Sequence, residues 1–275
     1  MGYTDVNRAN WNNRAKCHHE SAEVSAALAK LSRGESTLKE IETNLLGNVE
    51  GKRILHLMCH NGLDSISLAL KGASVTAVDL SEESLNYARK YSQMLDVKGI
   101  DFLLGDVHHK LDGVENCQFD IVFMTYGILC WLNELPKVFS HAAQYLKNRG
   151  QFLLIDHHPV LDLLNWQDDR LQLSGQYFYT PLPEKCISTK SYIGSGILTN
   201  PTTYQWTHDI GSIVEATIAA GFTIEHFKEY PWIYYKRYPL LVEQQGKYRI
   251  PENMAQFPML FSLLATKNAT DTKSD

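Results

Sequence analysis

No stretch of this 275-residue sequence approaches the roughly 20 consecutive apolar residues that cross a bilayer. The opening MGYTDVNRANWNNRAKCHHE has no apolar centre, so it lacks the form of a secretory leader. Cysteine is scarce: Cys17, Cys59, Cys117, Cys130 and Cys186 are scattered without a CxxC pair, which favours reduced thiols over disulfides or a zinc site. HExxH is absent as well. Among the histidines, His18–His19, His108–His109 and His157–His158 are adjacent, but neighbours along a strand point to opposite faces and rarely share an ion. No metal site is expected. An excess of positive charge is also missing: 26 Lys and Arg stand against 31 Asp and Glu, so the overall field gives nucleic acid no reason to bind. These absences lead us to expect a cytoplasmic protein with neither membrane nor nucleic acid as partner.

What remains has the balance of a globular chain, with 44% hydrophobic and 21% charged residues. Its first half alternates two periodicities. RILHLMC (53–59), SVTAVDLS (74–81), IDFLLGD (100–106), FDIVFMTYG (119–127) and QFLLIDHHP (151–159) read as strands. Between them LDSISLALKG (63–72), SEESLNYARKYSQMLD (81–96) and LPKVFSHAAQYLKNRG (135–150) read as helices, the second capped by Ser81 and the third stopped by Gly150. Strands separated by helices of this length make βαβ units and a parallel sheet. The rhythm fails from 159 to 207, resumes with a helix (208–222) and strand (223–231), fails again, and closes with FPMLFSLLATK (257–267). We therefore expect one domain over 1–275, with 159–207 and 231–256 as insertions that cap a substrate, since long insertions in compact domains commonly bind. The polar tail NATDTKSD is expected to fray.

In doubly wound sheets ligands lie at the carboxyl ends of the strands. The turn after the first strand contains Gly62, where a missing side chain lets backbone meet ligand, and the helix that follows points its N-terminus at the same place. Asp79 ends the second strand, at the distance expected of an acid that holds a ribose diol. Asp106 ends the third strand, where a carboxylate can accept from an adenine amino group. Their order across successive βα units favours a nucleotide-type ligand.

The series ILHLMCHNG, VTAVDLS, LLGDV, FDIVFMTYG and LKNRGQFLLID resembles the class I S-adenosylmethionine-dependent methyltransferases over about residues 50–160. Their usual first motif is DxGxGxG. Here His56 stands for the acid, Met58 and His60 for two glycines, and Gly62 alone remains. LHLMCHNGLDSISLA is similar to a bacterial subgroup whose motif reads LHLQCHxGxDTLSLA. That likeness extends to NRANWNNRAKCHH (7–19), HP (158–159), WTHDIGSIVEATIAAGFTIEHFKEYP (206–231) and PMLFSLLATK (258–267). The resemblance implies an α/β, Rossmann-like, doubly wound and mainly parallel seven-stranded sheet with an antiparallel last strand, plus an N-terminal helical lid over 1–50. It implies S-adenosyl-L-methionine as cofactor, held by His56, Cys59, His60, Gly62 and Asp64, by Asp79 and Leu80, by Asp106 and Val107, by Thr125, and by Trp11 and Arg14 from the lid. Asp64 either supplies the charge that His56 lacks or stabilises its helix N-terminus. His56 and His60 either meet the ligand or shape the turn.

Methyl transfer is an in-line displacement, and an acidic acceptor also needs a base to take its proton. His158 and His208 are the expected bases, because they lie in the subgroup's motifs and histidine titrates near neutrality. Tyr126 is expected at the reacting end. The many Tyr and Trp residues of the insertions suit a small acceptor of aromatic or cationic character. The expected protein is a monomer or homodimer that methylates an N or O atom of such a molecule. Two alternatives stay open: a non-catalytic subunit that binds the cofactor for regulation, and a nicotinamide-dependent oxidoreductase, the latter disfavoured by the missing GxGxxG.

Overall fold

A computed structural model describes residues 2–269, so most of the polar tail lies outside the described residues. Numbering only the strands of the central sheet, these are β1 (Arg53–Leu57), β2 (Ser74–Asp79), β3 (Ile100–Leu104), β4 (Phe119–Thr125), β5 (Leu146–His157), β6 (Phe222–Tyr230) and β7 (Leu260–Lys267). Their spatial order is β6-β7-β5-β4-β1-β2-β3. β1 pairs in parallel with β2 and β4, while β7 runs antiparallel to both β5 and β6. The expected mainly parallel, seven-stranded Rossmann-like sheet with an antiparallel last strand is present.

Seven α-helices accompany it among the described residues: α1 (Tyr3–His19), α2 (Ala22–Ser32), α3 (Glu40–Leu46), α4 (Leu63–Leu70), α5 (Glu82–Met94), α6 (Leu135–Tyr145) and α7 (Ile210–Ala219). Alternate strand residues feed two apolar cores. Leu55, Val122, Leu154 and Phe261 pack with α6 and α7 on one face, and Ile54, Ile121, Leu153 and Leu260 pack with Leu68 and Leu85 on the other. This explains why the strands read as continuous apolar runs. Ser81 caps α5 as expected, its hydroxyl accepting the Ser84 amide. Gly150 does not stop α6: Leu146 is already extended, so β5 begins there and Gly150 lies within it.

The irregular segments form small sheets of their own. Leu164–Gln167 pairs with Arg170–Leu173, Glu184–Ile187 with Thr202–Gln205, and a three-stranded sheet occupies part of 232–249. α1 is too polar to dock by apolar burial. Asparagines at three-residue spacing attach it instead to the 199–204 segment: Asn7 exchanges two hydrogen bonds with the Tyr204 backbone, Asn10 donates to the Asn200 carbonyl, and Asn13 accepts the Thr199 and Asn200 amides. No helix among the described residues is long and apolar enough to cross a membrane.

Candidate active site

The carboxyl ends of β1 to β4 open on a cavity of about 410 Å3, closed on the far side by residues of α1 and of the 192–193 segment. That volume is in the range that encloses a small ligand. The turn that follows β1 forms one wall, and its backbone is unusual. Met58, His60 and Gly62 all have left-handed φ, at 58°, 53° and 71°. Two of these residues carry side chains, and each such conformation costs on the order of 1–3 kcal/mol unless its surroundings enforce it. The turn therefore keeps a glycine geometry without the glycines.

Asp79 enforces it. One carboxylate oxygen accepts the His60 amide at 2.7 Å and the other accepts the Ser81 amide at 2.8 Å. Burial lifts this carboxyl to about 6, against the pull of those amides. Asp79 and Leu80 both line the cavity. Gly62 does not. A Cβ on it would lie 2.8 Å from Ala88 Cβ and 2.9 Å from the Phe102 ring, so its bare backbone lets the start of α4 close on α5 and β3. The expectation that Gly62 faces a ligand gives way to this packing role.

His56, Cys59 and His60 line the cavity. His56 is buried, bonds the Ser65 hydroxyl through Nδ1 at 2.8 Å, and is held neutral by burial, with its pKa lowered to about 3. His60 Nε2 lies 3.0 Å from His18 Nδ1, and His18 Nε2 lies 2.6 Å from the Ser191 hydroxyl. This chain joins the β1 turn, α1 and the 190s segment. Burial, then the charge of neighbouring groups, lowers His18 to about 3 and His60 to about 4, so both rings stay neutral near pH 7. Trp11 meets His60, Trp131 and Tyr192 edge-on and lines the cavity. Arg14 does not reach the lining. Its guanidinium stacks on Trp11 and Tyr192 and donates to Asn10, which supports the roof from behind.

At the β3 end, Asp106 and Val107 line the cavity. One Asp106 oxygen accepts from both the amide and Nδ1 of His108, at 3.0 and 2.7 Å. Burial raises this carboxyl, but the His108 bonds outweigh it and leave it below its usual value. At the β4 end, Thr125 and Tyr126 line the cavity, and Tyr126 has a left-handed φ of 49°. Its hydroxyl donates at 2.9 Å to Glu42, a fully buried residue of α3 that the sequence did not single out. Asp64 lines the same end and accepts from Thr37. Asp156 was also missed. It accepts amides from Gly127, Ile128 and Leu129 and so fixes the loop after β4.

Neither histidine expected to act as base lines the cavity. His158 accepts the Val160 amide through Nδ1, while Nε2 lies 2.7 Å from Glu229. His208 bonds the Leu132 carbonyl at 2.6 Å and stacks on Tyr179. Both are nearly inaccessible, at 4% and 5% exposure. Burial lowers the pKa of each despite the acid or carbonyl beside it. They hold loops together, and we do not carry the base role forward. Among the described residues, no group of three or more His, Cys, Asp or Glu side chains is placed to hold a metal ion.

The family profile described as a methyltransferase domain matches residues 54–150, the β1 to β5 region around this cavity. A demethylmenaquinone methyltransferase of Leptospira interrogans is 32% identical over 182 residues, covering 64% of this chain and 68% of that one. The chain belongs to the class I S-adenosylmethionine-dependent methyltransferases. Its cofactor is S-adenosylmethionine and its activity is methyl transfer, which sets aside the nicotinamide and purely regulatory readings. A ubiquinone biosynthesis O-methyltransferase of Bordetella pertussis is 38% identical over 76 residues, 28% of this chain and 31% of that one. In fold, an S-adenosylmethionine-dependent methyltransferase from Mesorhizobium loti superposes with a TM-score of 0.58 at 20% identity, covering 82% of this chain and 96% of that one. Another from Clostridium acetobutylicum gives 0.57 at 15%, covering 90% and 98%.

Proposed function

We propose that this methyltransferase, of the subgroup with an LHLQCHxG-type first motif, methylates an N or O atom of a small molecule of aromatic or cationic character. The observation that carries this is the aromatic wall past the β4 end. Trp131 and Tyr192 line the cavity against Trp11, Tyr126 lines it at the β4 end, and among the described lining residues Lys39 is the one lysine or arginine. Faces of that kind attract flat apolar rings and cations, while a nucleic-acid acceptor would need a basic track. Relatives named for demethylmenaquinone methylation and for O-methylation in ubiquinone biosynthesis support a small acceptor.

The cavity fits the cofactor by the chemistry of its donors. Asp79, Leu80, Asp106, Val107, Thr125 and the 58–61 turn all line the cavity; Asp79 would take the ribose hydroxyls, Leu80 would pack beside the sugar, Asp106 and Val107 would take the adenine edge, and Thr125 with the turn would border the remainder. The bound cofactor supplies an electrophilic methyl group on sulfur. The chain contributes a turn fixed by Asp79, an enclosure bounded by Trp11 and Tyr192, and an aromatic surface to hold the acceptor in line. Alignment of this kind is worth several powers of ten in rate. Of the two insertions expected to cap the substrate, 159–207 reaches the cavity through Tyr192 and Ile193, whereas no residue of 231–256 lines it; residues of 1–50, Trp11 and Glu42 among them, serve as the lid.

The test is release of S-adenosylhomocysteine with a panel of phenols, hydroquinones, amines and quaternisable nitrogen compounds, alongside protein and RNA. Turnover with a ring-bearing or amine acceptor is expected. Release confined to protein or RNA would defeat the reading.

A further inference from the structure

We propose that the cofactor's amino-acid end is held by a corner that the N-terminal segment builds, Glu42 and Asp64 taking its ammonium and Lys39 its carboxylate, in place of the acid that His56 displaces. This rests on the cavity being the cofactor site, as argued above.

The displaced acid leaves a charge problem. His56 is neutral, already bonded to Ser65 and pressed against Phe123, so it has no negative charge to offer. Two carboxyls nearby have the opposite problem. Glu42 is fully buried on α3, lines the cavity, and receives the Lys39 amide at 3.2 Å and the Tyr126 hydroxyl at 2.9 Å. Asp64 opens α4 on the same wall and receives the Thr37 hydroxyl. Among the described residues neither carboxyl forms an ion pair with a lysine, arginine or histidine. Lys39 acts on Asp64 only from beyond ion-pair distance, and a buried carboxylate so weakly compensated is costly, the more so with a second one beside it. Burial, then the Asp64 charge, lifts Glu42 to about 7, and Asp64 is raised by burial too. A cation brought between them relieves both.

Two independent features mark the same corner as a binding place. Among the described residues the buried Tyr234 hydroxyl has no well-formed hydrogen bond; it feels the Glu42 charge and, more weakly, the Ile41 backbone, and its ring meets Tyr126 edge-on. Lys39 lines the cavity, forms no ion pair among the described residues, and holds its ammonium 5.7 Å from the Tyr234 ring centroid. Two acids and one base around one end of a nucleoside-sized cavity match a zwitterion. Glu42 reaches the site from a helix that precedes β1, whereas the motif acid would have come from β1 itself. The charge has moved in sequence while keeping its place in the fold.

Calorimetric titration tests this with three ligands: S-adenosylhomocysteine, its desamino analogue, and 5′-methylthioadenosine, which lacks the whole amino-acid part. Glu42→Gln is expected to weaken S-adenosylhomocysteine by about 10- to 100-fold, the range of a hydrogen bond to a charged group. It should leave the other two ligands as in the wild type. Lys39→Met should weaken S-adenosylhomocysteine and the desamino analogue alike and spare 5′-methylthioadenosine. Titration of the wild type near pH 7 in buffers of different ionisation enthalpy should show proton release, absent in Glu42→Gln. Equal loss of all three ligands, in both Glu42→Gln and the gentler Asp64→Asn, would overturn the proposal, as would unchanged affinity for S-adenosylhomocysteine. A wild type that binds none of the three would instead overturn the assignment of the cavity, and this corner with it.

Discussion

Nε2 of His158 lies 2.7 Å from a Glu229 carboxylate oxygen while its Nδ1 accepts the Val160 amide. A neutral imidazole has one donor and one acceptor, and here both are in use. No lone pair remains for an acceptor's proton. His158→Gln is therefore expected to keep turnover within about threefold and to leave the pH–rate profile in shape. Stability should fall by about 1–2 kcal/mol, because a loop cap and a bond to a charged group are lost. His208→Gln should behave similarly. Steady-state kinetics beside chemical denaturation checks both. Losing a general base would cost roughly 10²–10⁴-fold, and a drop of that size in a folded variant would restore the base.

Gly62 makes a different prediction from the one its motif suggests. Since a Cβ there would press on Ala88 and Phe102, and since φ is 71°, Gly62→Ala adds overpacking to left-handed strain. The expected loss is about 2–4 kcal/mol of stability. Cofactor affinity should follow the folded fraction. Denaturant midpoints and calorimetry separate the two. A stable Gly62→Ala variant with no cofactor binding would return Gly62 to the ligand wall.

Most of the sheet was legible because its strands are buried on both faces and its helices have a clear apolar stripe, as α5 and α6 show. The position of Asp79 and Asp106 on the cavity was legible for a related reason: strand ends have fixed places in this topology. Glu42 was not, since an acid on a short N-terminal helix reads as a solvated residue until tertiary packing buries it. Asp156 was hidden similarly, its role depending on three amides of a loop some 28 residues earlier. The histidines misled in the other direction. Motif position carries no information on whether a ring nitrogen is free, and at 158 and 208 the rings face loop backbone and neighbouring side chains.

The proposed contact of Asp79 with the ribose would tie cofactor affinity to pH. The Asp79 carboxyl is lifted to about 6 by burial, so it loses acceptor capacity as pH falls through that value. S-adenosylmethionine affinity should decline between pH 7.5 and 5 in the wild type. Asp79→Asn should bind about 10- to 100-fold more weakly at pH 7.5 and show a flatter pH dependence. Titrations across the range check this. Parallel curves for the two proteins would mean that some other group carries the dependence.

The His18–His60 pair should govern the acid limb of stability. Folding lowers these rings to about 3 and about 4, and the buried His56 to about 3, from ordinary values near 6.5. Between pH 6.5 and 4 the unfolded chain takes up protons that the native rings refuse, so stability falls as pH drops through that window and is retained above it. Glu42 and Asp79, raised to about 7 and about 6, act in the opposite sense: the native state keeps protons that the unfolded chain releases above about 4.3, which favours lower pH. Asp162, raised to about 6 by burial, acts in that opposing sense too, so the histidine contribution is read from the difference between wild type and a variant. His18→Gln removes one such ring. It should flatten the acid limb by about 1.4 kcal/mol per pH unit, even where the substitution costs stability at pH 7 through the lost bonds to His60 and Ser191. Melting curves from pH 7 to 4.5 measure the slope. If the two proteins lose stability in parallel, His18 takes up its proton without disturbing the fold, and its bond to His60 does not set the acid limit.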